Sequence, residues 1–272
     1  MTFIEKLAGA VQKHRSLLCI GLDPEPALMP RGIGIFEFNK AIIDATSDLV
    51  CAYKPNIAFY EAMGIEGLEA LRRTRDCIPG DVLAILDAKR GDIGNTAKAY
   101  AGSIFNYFNF DATTVSPYLG FDSLEPFIRY PDRGVFVLCH TSNAGADDFQ
   151  SLVCEVNGRR NRLFEIVAEK VSQWDTFGNL GLVVGATYTG ELRSIRQRFP
   201  DIPLLIPGIG AQGGELSAVV KYGVDAGGER TIINSSRQII YASKEHDFAQ
   251  AARDAALKLR DRINQYLSKP SS

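Results

Sequence analysis

Eight short apolar runs, each closed by a polar or glycine-rich cluster, constrain what this chain can fold into. They are Leu17–Leu22, Val50–Tyr53, Val82–Leu86, Ala112–Val115, Val135–Cys139, Leu180–Val184, Leu204–Ile206 and Thr231–Ile233. Runs this short and this apolar match strands buried on both faces. Between most of them lie stretches with helical spacing, such as Phe36–Val50, Glu66–Cys77, Thr96–Phe108, Leu163–Trp174 and Glu215–Tyr222, and Phe248–Leu267 closes the chain. Buried strands alternating with helices predict parallel βα units. Eight of them in 272 residues predict an α/β fold, a single-domain (β/α)8 TIM barrel over 1–272, in preference to a doubly wound open sheet. Residues 1–15 read as an amphipathic N-terminal helix and 268–272 as a frayed tail. Gly227-Gly228-Glu229-Arg230 interrupts the approach to the last run, and the sequence offers no reason for it.

Composition narrows the function classes. Hydrophobic residues make up 46%, enough to bury a sizeable core, and the formal net charge of −2 supplies no basic field for nucleic acid or anionic membranes. No run approaches the roughly 18 apolar residues of a membrane span, and the N-terminus lacks the apolar core of a signal peptide. The five cysteines are odd in number and show no CxxC spacing; Cys19, Cys51 and Cys139 sit inside predicted strands. Free thiols in a reducing compartment follow, and with them a cytoplasmic protein.

A barrel places its chemistry just past the C-terminal ends of its strands. The third run ends in Asp87-Ala88-Lys89-Arg90-Gly91-Asp92. Residues two apart share a face of a strand, so Asp87 and Lys89 are predicted to point into the barrel mouth and Arg90 away. Gly91 permits a turn, Asp92 follows on it, and Asn95 is placed to cap the next helix. A solvated salt-bridge loop is the plain alternative. Lys54, between the second run and Pro55, argues against that. With Asp87, Lys89 and Asp92 it forms an alternating set of two ammonium and two carboxylate groups, which keeps each charge paired while partly desolvated. Asp23, after the first run, extends the set.

The seventh run leads into Pro207-Gly208-Ile209-Gly210-Ala211-Gln212-Gly213-Gly214 and the eighth into Asn234-Ser235-Ser236-Arg237. Glycines expose backbone N–H groups to an anion, and an arginine can hold it bidentately. Loops after strands seven and eight form the recurring phosphate site of such barrels. His14, His140 and His246 make no metal-ligand spacing, and His140 reads as structural. The residues alone therefore describe a barrel enzyme for a small phosphorylated molecule, with a charged centre beside strands two and three.

The segment Asp87-Ala88-Lys89-Arg90-Gly91-Asp92-Ile93-Gly94-Asn95-Thr96 resembles the signature of the orotidine 5′-phosphate decarboxylases. Gly21-Leu22-Asp23, Lys54-Pro55-Asn56, Pro207–Gln212 and Ser236-Arg237 match further motifs in the family order, over about residues 17–240, and most closely those of the longer bacterial branch. The resemblance implies cofactor-free, metal-free decarboxylation of orotidine 5′-phosphate to uridine 5′-phosphate, the last step of de novo pyrimidine biosynthesis. It implies Lys89 as proton donor to C6, Asp87 facing the departing carboxylate, Lys54 pairing with Asp87 and the ribose, and Asp23 on the ribose. Gln212, Ser236 and Arg237 are implied to hold the phosphate beside Pro207. Ser142, in Thr141-Ser142-Asn143, is implied to read the pyrimidine edge, with Thr141 one position away. Asp92, Ile93 and Thr96 are implied to enter a partner's site, which makes the protein a homodimer with shared active sites.

Two readings compete. A sister group of sugar-phosphate decarboxylases shares the Asp-x-Lys-x-x-Asp core but uses magnesium and carries an acid where Lys54 stands. A non-catalytic phosphometabolite-binding barrel has no need of Lys89.

Overall fold

The computed structural model describes residues 1–156, 158–209 and 216–268. Eight parallel strands close into a barrel: β1 (Leu18–Leu22), β2 (Ala52–Pro55), β3 (Leu83–Arg90), β4 (Ala112–Val115), β5 (Gly134–His140), β8 (Leu180–Val184), β9 (Leu204–Pro207) and β10 (Thr231–Ser235). β6 (Val153–Val156) and β7 (Arg159–Arg162) form a separate antiparallel hairpin between β5 and β8. All eight predicted runs are barrel strands; the seventh and eighth are β9 and β10. Closure comes from β1 pairing with both β2 and β10. The strands are almost wholly buried, as expected when side chains fill the interior and helices cover the outside.

Helix α1 (Phe3–His14) opens with a capping box, in which the Glu5 N–H donates to the Thr2 hydroxyl at 3.3 Å and the Thr2 N–H to the Glu5 carboxylate at 2.8 Å. It packs under the barrel, where the Phe3 ring meets Phe136 edge-on at 5.8 Å and occupies the space that Gly134 leaves by lacking a Cβ. The helices that follow are α2 (Ile35–Thr46), α3 (Ile57–Glu61), α4 (Gly64–Cys77), α5 (Gly94–Gly102), α6 (Phe121–Ile128), α7 (Leu163–Trp174), α8 (Thr189–Arg198), α9 (Leu216–Gly223), α10 (Arg237–Ile240) and α11 (Phe248–Leu267). No helix among the described residues is long and apolar enough to cross a membrane. All five cysteines are free thiols.

Several boundaries differ from the sequence expectation. α5 starts at Gly94 with Ile93 at its N-cap position and no side-chain cap, so Asn95 lies inside the helix and caps nothing. Gly94 adopts φ +56, which makes the turn at Gly94 instead of Gly91. The expected helix Thr96–Phe108 ends in a π-helical turn over Ser103–Tyr107, and Phe36–Val50 ends in a 3-10 turn over Ser47–Leu49. The β6–β7 hairpin has no counterpart among the predicted runs, because its strands are mostly exposed and lack an apolar run.

The Gly227–Arg230 interruption has a structural cause. Asp225 accepts the N–H groups of Glu229 (3.2 Å) and Arg230 (2.9 Å), and Gly228 takes φ +66. The Arg230 guanidinium then donates to the Asp201 carbonyl at 2.7 Å. This loop lies at the N-terminal end of β10, away from the mouth.

Candidate active site

Strand register brings the charged residues level. Gly21 of β1 pairs with Lys54 of β2, and Asn56 bridges Asp87 within β3. Lys54 Nζ donates to Asp87 Oδ2 at 2.8 Å and Lys89 Nζ donates to Asp87 Oδ1 at 2.6 Å. Lys54 and Asp87 are buried, whereas the Lys89 side chain is 47% exposed and reaches into the open mouth. Burial alone would raise the Asp87 carboxyl, but the two ammonium groups outweigh it and hold it well below the usual carboxylate range. Burial likewise opposes charge on Lys54, and Asp87 and Asp23 reverse that and hold its ammonium above the usual lysine range.

Asp87 and Lys89 share the mouth as expected, but simple alternation does not put them there. Leu86 pairs with Thr113 and Arg90 with Val115, so β3 bulges between them. Within the bulge Lys89 adopts φ +47, a left-handed conformation that costs a non-glycine residue about 1–2 kcal/mol. The Thr114 hydroxyl accepts the N–H groups of Ala88 (3.1 Å) and Lys89 (3.0 Å) and donates to Asp87 Oδ1 at 2.9 Å. Arg90 turns away, paired with Glu61 and lying over the Tyr100 ring at 4.9 Å.

Two adjoining hollows form one cleft at the mouth. The first, about 370 Å³, has the triad Lys54, Asp87 and Lys89 at one end and an apolar floor of Leu138, Val183 and Leu205. The second, about 230 Å³, runs past Asp23 to Ser236 and Arg237. Lys54, Ser142 and Pro207 line both. Around the second, Asp23 Oδ1, Asn234 Oδ1 and Ser235 Oγ are buried without a hydrogen-bond partner, while Ser236 Oγ donates to Asp23 Oδ2 at 2.7 Å. Unpartnered buried polar atoms are rare and call for a missing partner. Thr141 is tied into its loop: its N–H donates to Gln150 Oε1 at 2.7 Å, and its hydroxyl accepts from Gln150 Nε2 at 2.8 Å and donates to Asn143 at 2.6 Å. Ser142 is left facing the cleft.

A larger hollow of about 510 Å³ lies at the opposite end of the barrel. There Lys6, Arg75 and Arg133 surround Asp111 at 3.5–3.7 Å, an ion-pair network at the end that serves stability.

Of the residues expected at the site, Lys54, Asp87, Lys89, Asp23, Ser142, Pro207, Ser236 and Arg237 converge on the cleft. Asp92, Ile93 and Thr96 do not line it. Asp92 accepts the Ile93 N–H at 2.8 Å, Ile93 is 54% exposed and Thr96 is exposed. Gln212 lies outside the described residues. His140 is buried edge-on against Phe164 and Tyr188, with burial lowering its basicity, as suits a structural residue. Among the described residues no three or more His, Cys, Asp or Glu are grouped to hold a metal ion. Thr114 and Gln150 are not among the residues expected at the site, and Asn234 and Ser235 are expected only as part of the string that ends the eighth run. The one signal for Thr114 is a hydroxyl in a buried run, which must find a partner.

A lysine–carboxylate–lysine triad at the C-terminal mouth of a (β/α)8 barrel, opening on a cleft with an arginine at its far end, defines a class: barrel enzymes with a fixed charged centre at the mouth. The family model described as "Orotidine 5′-phosphate decarboxylase / HUMPS family" matches residues 16–254, and the chain belongs to that family. It is 54% identical to an orotidine 5′-phosphate decarboxylase of Dehalococcoides mccartyi, over 98% of each chain. It is 53% identical to one of Cupriavidus necator, over 98% of this chain and 99% of that one. A solved OMP decarboxylase from Leishmania donovani superposes with a TM-score of 0.85 at 42% identity, over 98% of this chain and 99% of that one.

Proposed function

We propose that this chain is a carboxy-lyase that decarboxylates orotidine 5′-phosphate to uridine 5′-phosphate and CO2 in pyrimidine biosynthesis. Its relatives carry that name at 54% identity over nearly the full length. The observation that carries the residue assignment is the triad, in which one buried carboxylate is bonded by two lysines.

When the C6–carboxylate bond breaks, its electron pair stays on C6. The Lys89 ammonium stabilises that charge and then delivers a proton to C6, leaving a neutral amine that solvent reprotonates. Asp87 stands beside the departing carboxylate, an unfavourable contact that loss of CO2 relieves. Lys54 holds Asp87 ionised and reaches the ribose. Asp23, with its free Oδ1, takes a ribose hydroxyl. Ser142 reads the pyrimidine edge, a role supported by Thr141 being engaged by Gln150 and Asn143. Gln212, Ser236 and Arg237 hold the phosphate, with Pro207 beside it. Its binding energy orders the charged array at a distance from the reacting carbon. The reaction as assigned needs no cofactor.

The active form is a homodimer in which Asp92, Ile93 and Thr96 enter the partner's cleft. Asp92 stands off its own triad, and Ile93, Tyr118, Leu119 and Phe121 are large apolar residues left exposed. The free thiols suit a cytoplasmic setting.

The test is the loss of orotidine 5′-phosphate, followed by absorbance, with and without a chelator. Turnover indifferent to chelator is expected. No loss of substrate, or loss only with magnesium present, overturns the assignment. For the shared site, Lys89→Ala and Asp92→Ala are each expected to be nearly inactive and to regain activity when mixed, because one heterodimer site is then intact. Exchange of subunits without recovery rules out the role of Asp92 across the interface.

A further inference from the structure

We infer that Thr114 is a positioning residue for Lys89, its hydroxyl holding the left-handed bulge from which the ammonium reaches the substrate. The inference rests on Lys89 being the proton donor. A hydroxyl has one donor and two acceptor sites, and Thr114 uses all three on β3. It accepts two consecutive N–H groups, at 3.1 and 3.0 Å, and donates to Asp87 Oδ1 at 2.9 Å. Thr114 is 1% exposed, so water does not replace these bonds.

The arrangement ties three things to one oxygen: the backbone of Lys89, the backbone of Ala88 and the carboxylate between the two lysines. The backbone matters because φ +47 at Lys89 is uphill for a lysine and persists only where its surroundings hold it. The carboxylate matters because Asp87 Oδ1 takes both the Thr114 hydroxyl and Lys89 Nζ, which sets the distance between ammonium and backbone. The half-exposed Lys89 side chain has no comparable packing of its own. Valine keeps the shape of threonine and removes all three bonds.

The neighbouring residue supplies a control. Thr113 is also fully buried, but its hydroxyl donates to the Leu86 carbonyl at 2.9 Å and touches neither lysine nor Asp87. A loss that is merely structural appears equally in Thr113→Val and Thr114→Val.

The experiment compares wild type, Thr114→Val, Thr114→Ser and Thr113→Val in steady-state turnover, with uridine 5′-phosphate affinity and thermal melts alongside. Thr114→Val is expected to lose on the order of 10²-fold in kcat, as for a small misplacement of a reacting group. Its KM and product affinity stay within about threefold, since the phosphate and ribose contacts are intact. Thr114→Ser, which keeps the hydroxyl, recovers to within about tenfold of wild type, and Thr113→Val keeps its kcat. Wild-type kcat in Thr114→Val, or equal losses in the serine and valine variants, overturns the inference. If the valine variant does not fold, Thr114→Ala against Thr114→Ser carries the same comparison. An inert wild type overturns the decarboxylase reading instead, so the two failures are distinct.

Discussion

Lys54→Met tests whether the buried triad is an electrostatic unit. The side chains of Lys54 and Asp87 are 5% and 11% exposed and 2.8 Å apart. Removing Lys54 leaves the buried Asp87 carboxylate with the half-exposed Lys89 as its remaining lysine partner, at a cost of about 3–5 kcal/mol if the buried pair dominates. At about 2 °C per kcal/mol for a chain of this size, Tm falls by about 6–10 °C near pH 7. The pH dependence supplies the sharper test. Wild-type folded Asp87 titrates below its unfolded value of about 3.9, so its stabilisation is present above that pH and is lost as pH falls toward the folded value. In the variant, burial is opposed by Lys89 alone, so folded Asp87 titrates higher and the protein loses less on acidification. The stability gap should narrow between about pH 7 and about pH 3, by roughly 1 kcal/mol or more, since each tenfold change in proton affinity is worth ~1.4 kcal/mol. Urea melts of both proteins across that range measure it. Adding Asp87→Asn to Lys54→Met should recover stability relative to the sum of the single losses, by about 0.5–3 kcal/mol, because no buried charge remains and Lys89 is half-exposed. A gap under about 1 kcal/mol at neutral pH, or one that stays constant on acidification, means that the triad is not an electrostatic unit.

Two further predictions concern other parts of the barrel. Arg237→Ala should raise KM for orotidine 5′-phosphate by roughly 10–100-fold, the worth of a charge-assisted bond to phosphate, and should affect turnover of the nucleoside lacking phosphate far less. Unchanged KM removes Arg237 from the phosphate site. Arg196→Met tests a buried strut: the guanidinium donates to the carbonyls of Gly223, Pro200 and Ile202, and burial pushes it down to about 10. Losing it leaves those carbonyls without their donor and should cost about 3 kcal/mol in denaturant melts, with kcat unaltered.

Whatever a local pattern carries is legible in the sequence. Apolar runs such as Leu180–Val184 specify buried strands because no other element that short buries every residue. Charges placed at the ends of those runs, Lys54 and Asp87 among them, are visible because a charge at a buried strand end needs a partner. The family likeness of Asp87–Thr96 rests on the same local string. Tertiary structure decided how the strings meet. Asp87 and Thr114 are 27 residues apart, and their bond depends on the register between β3 and β4, which a bulge resets. No periodicity announces that bulge. It replaces the simple alternation expected for Asp87 and Lys89 with a left-handed turn at Lys89. The same limit hid the roles of Asn234 and Ser235, whose orphaned oxygens acquire meaning only where β10 closes the barrel against β1 and Asp23, the residue that follows β1. The charged segment names its chemistry locally, while the position of its lysine depends on a hydroxyl contributed by the neighbouring strand.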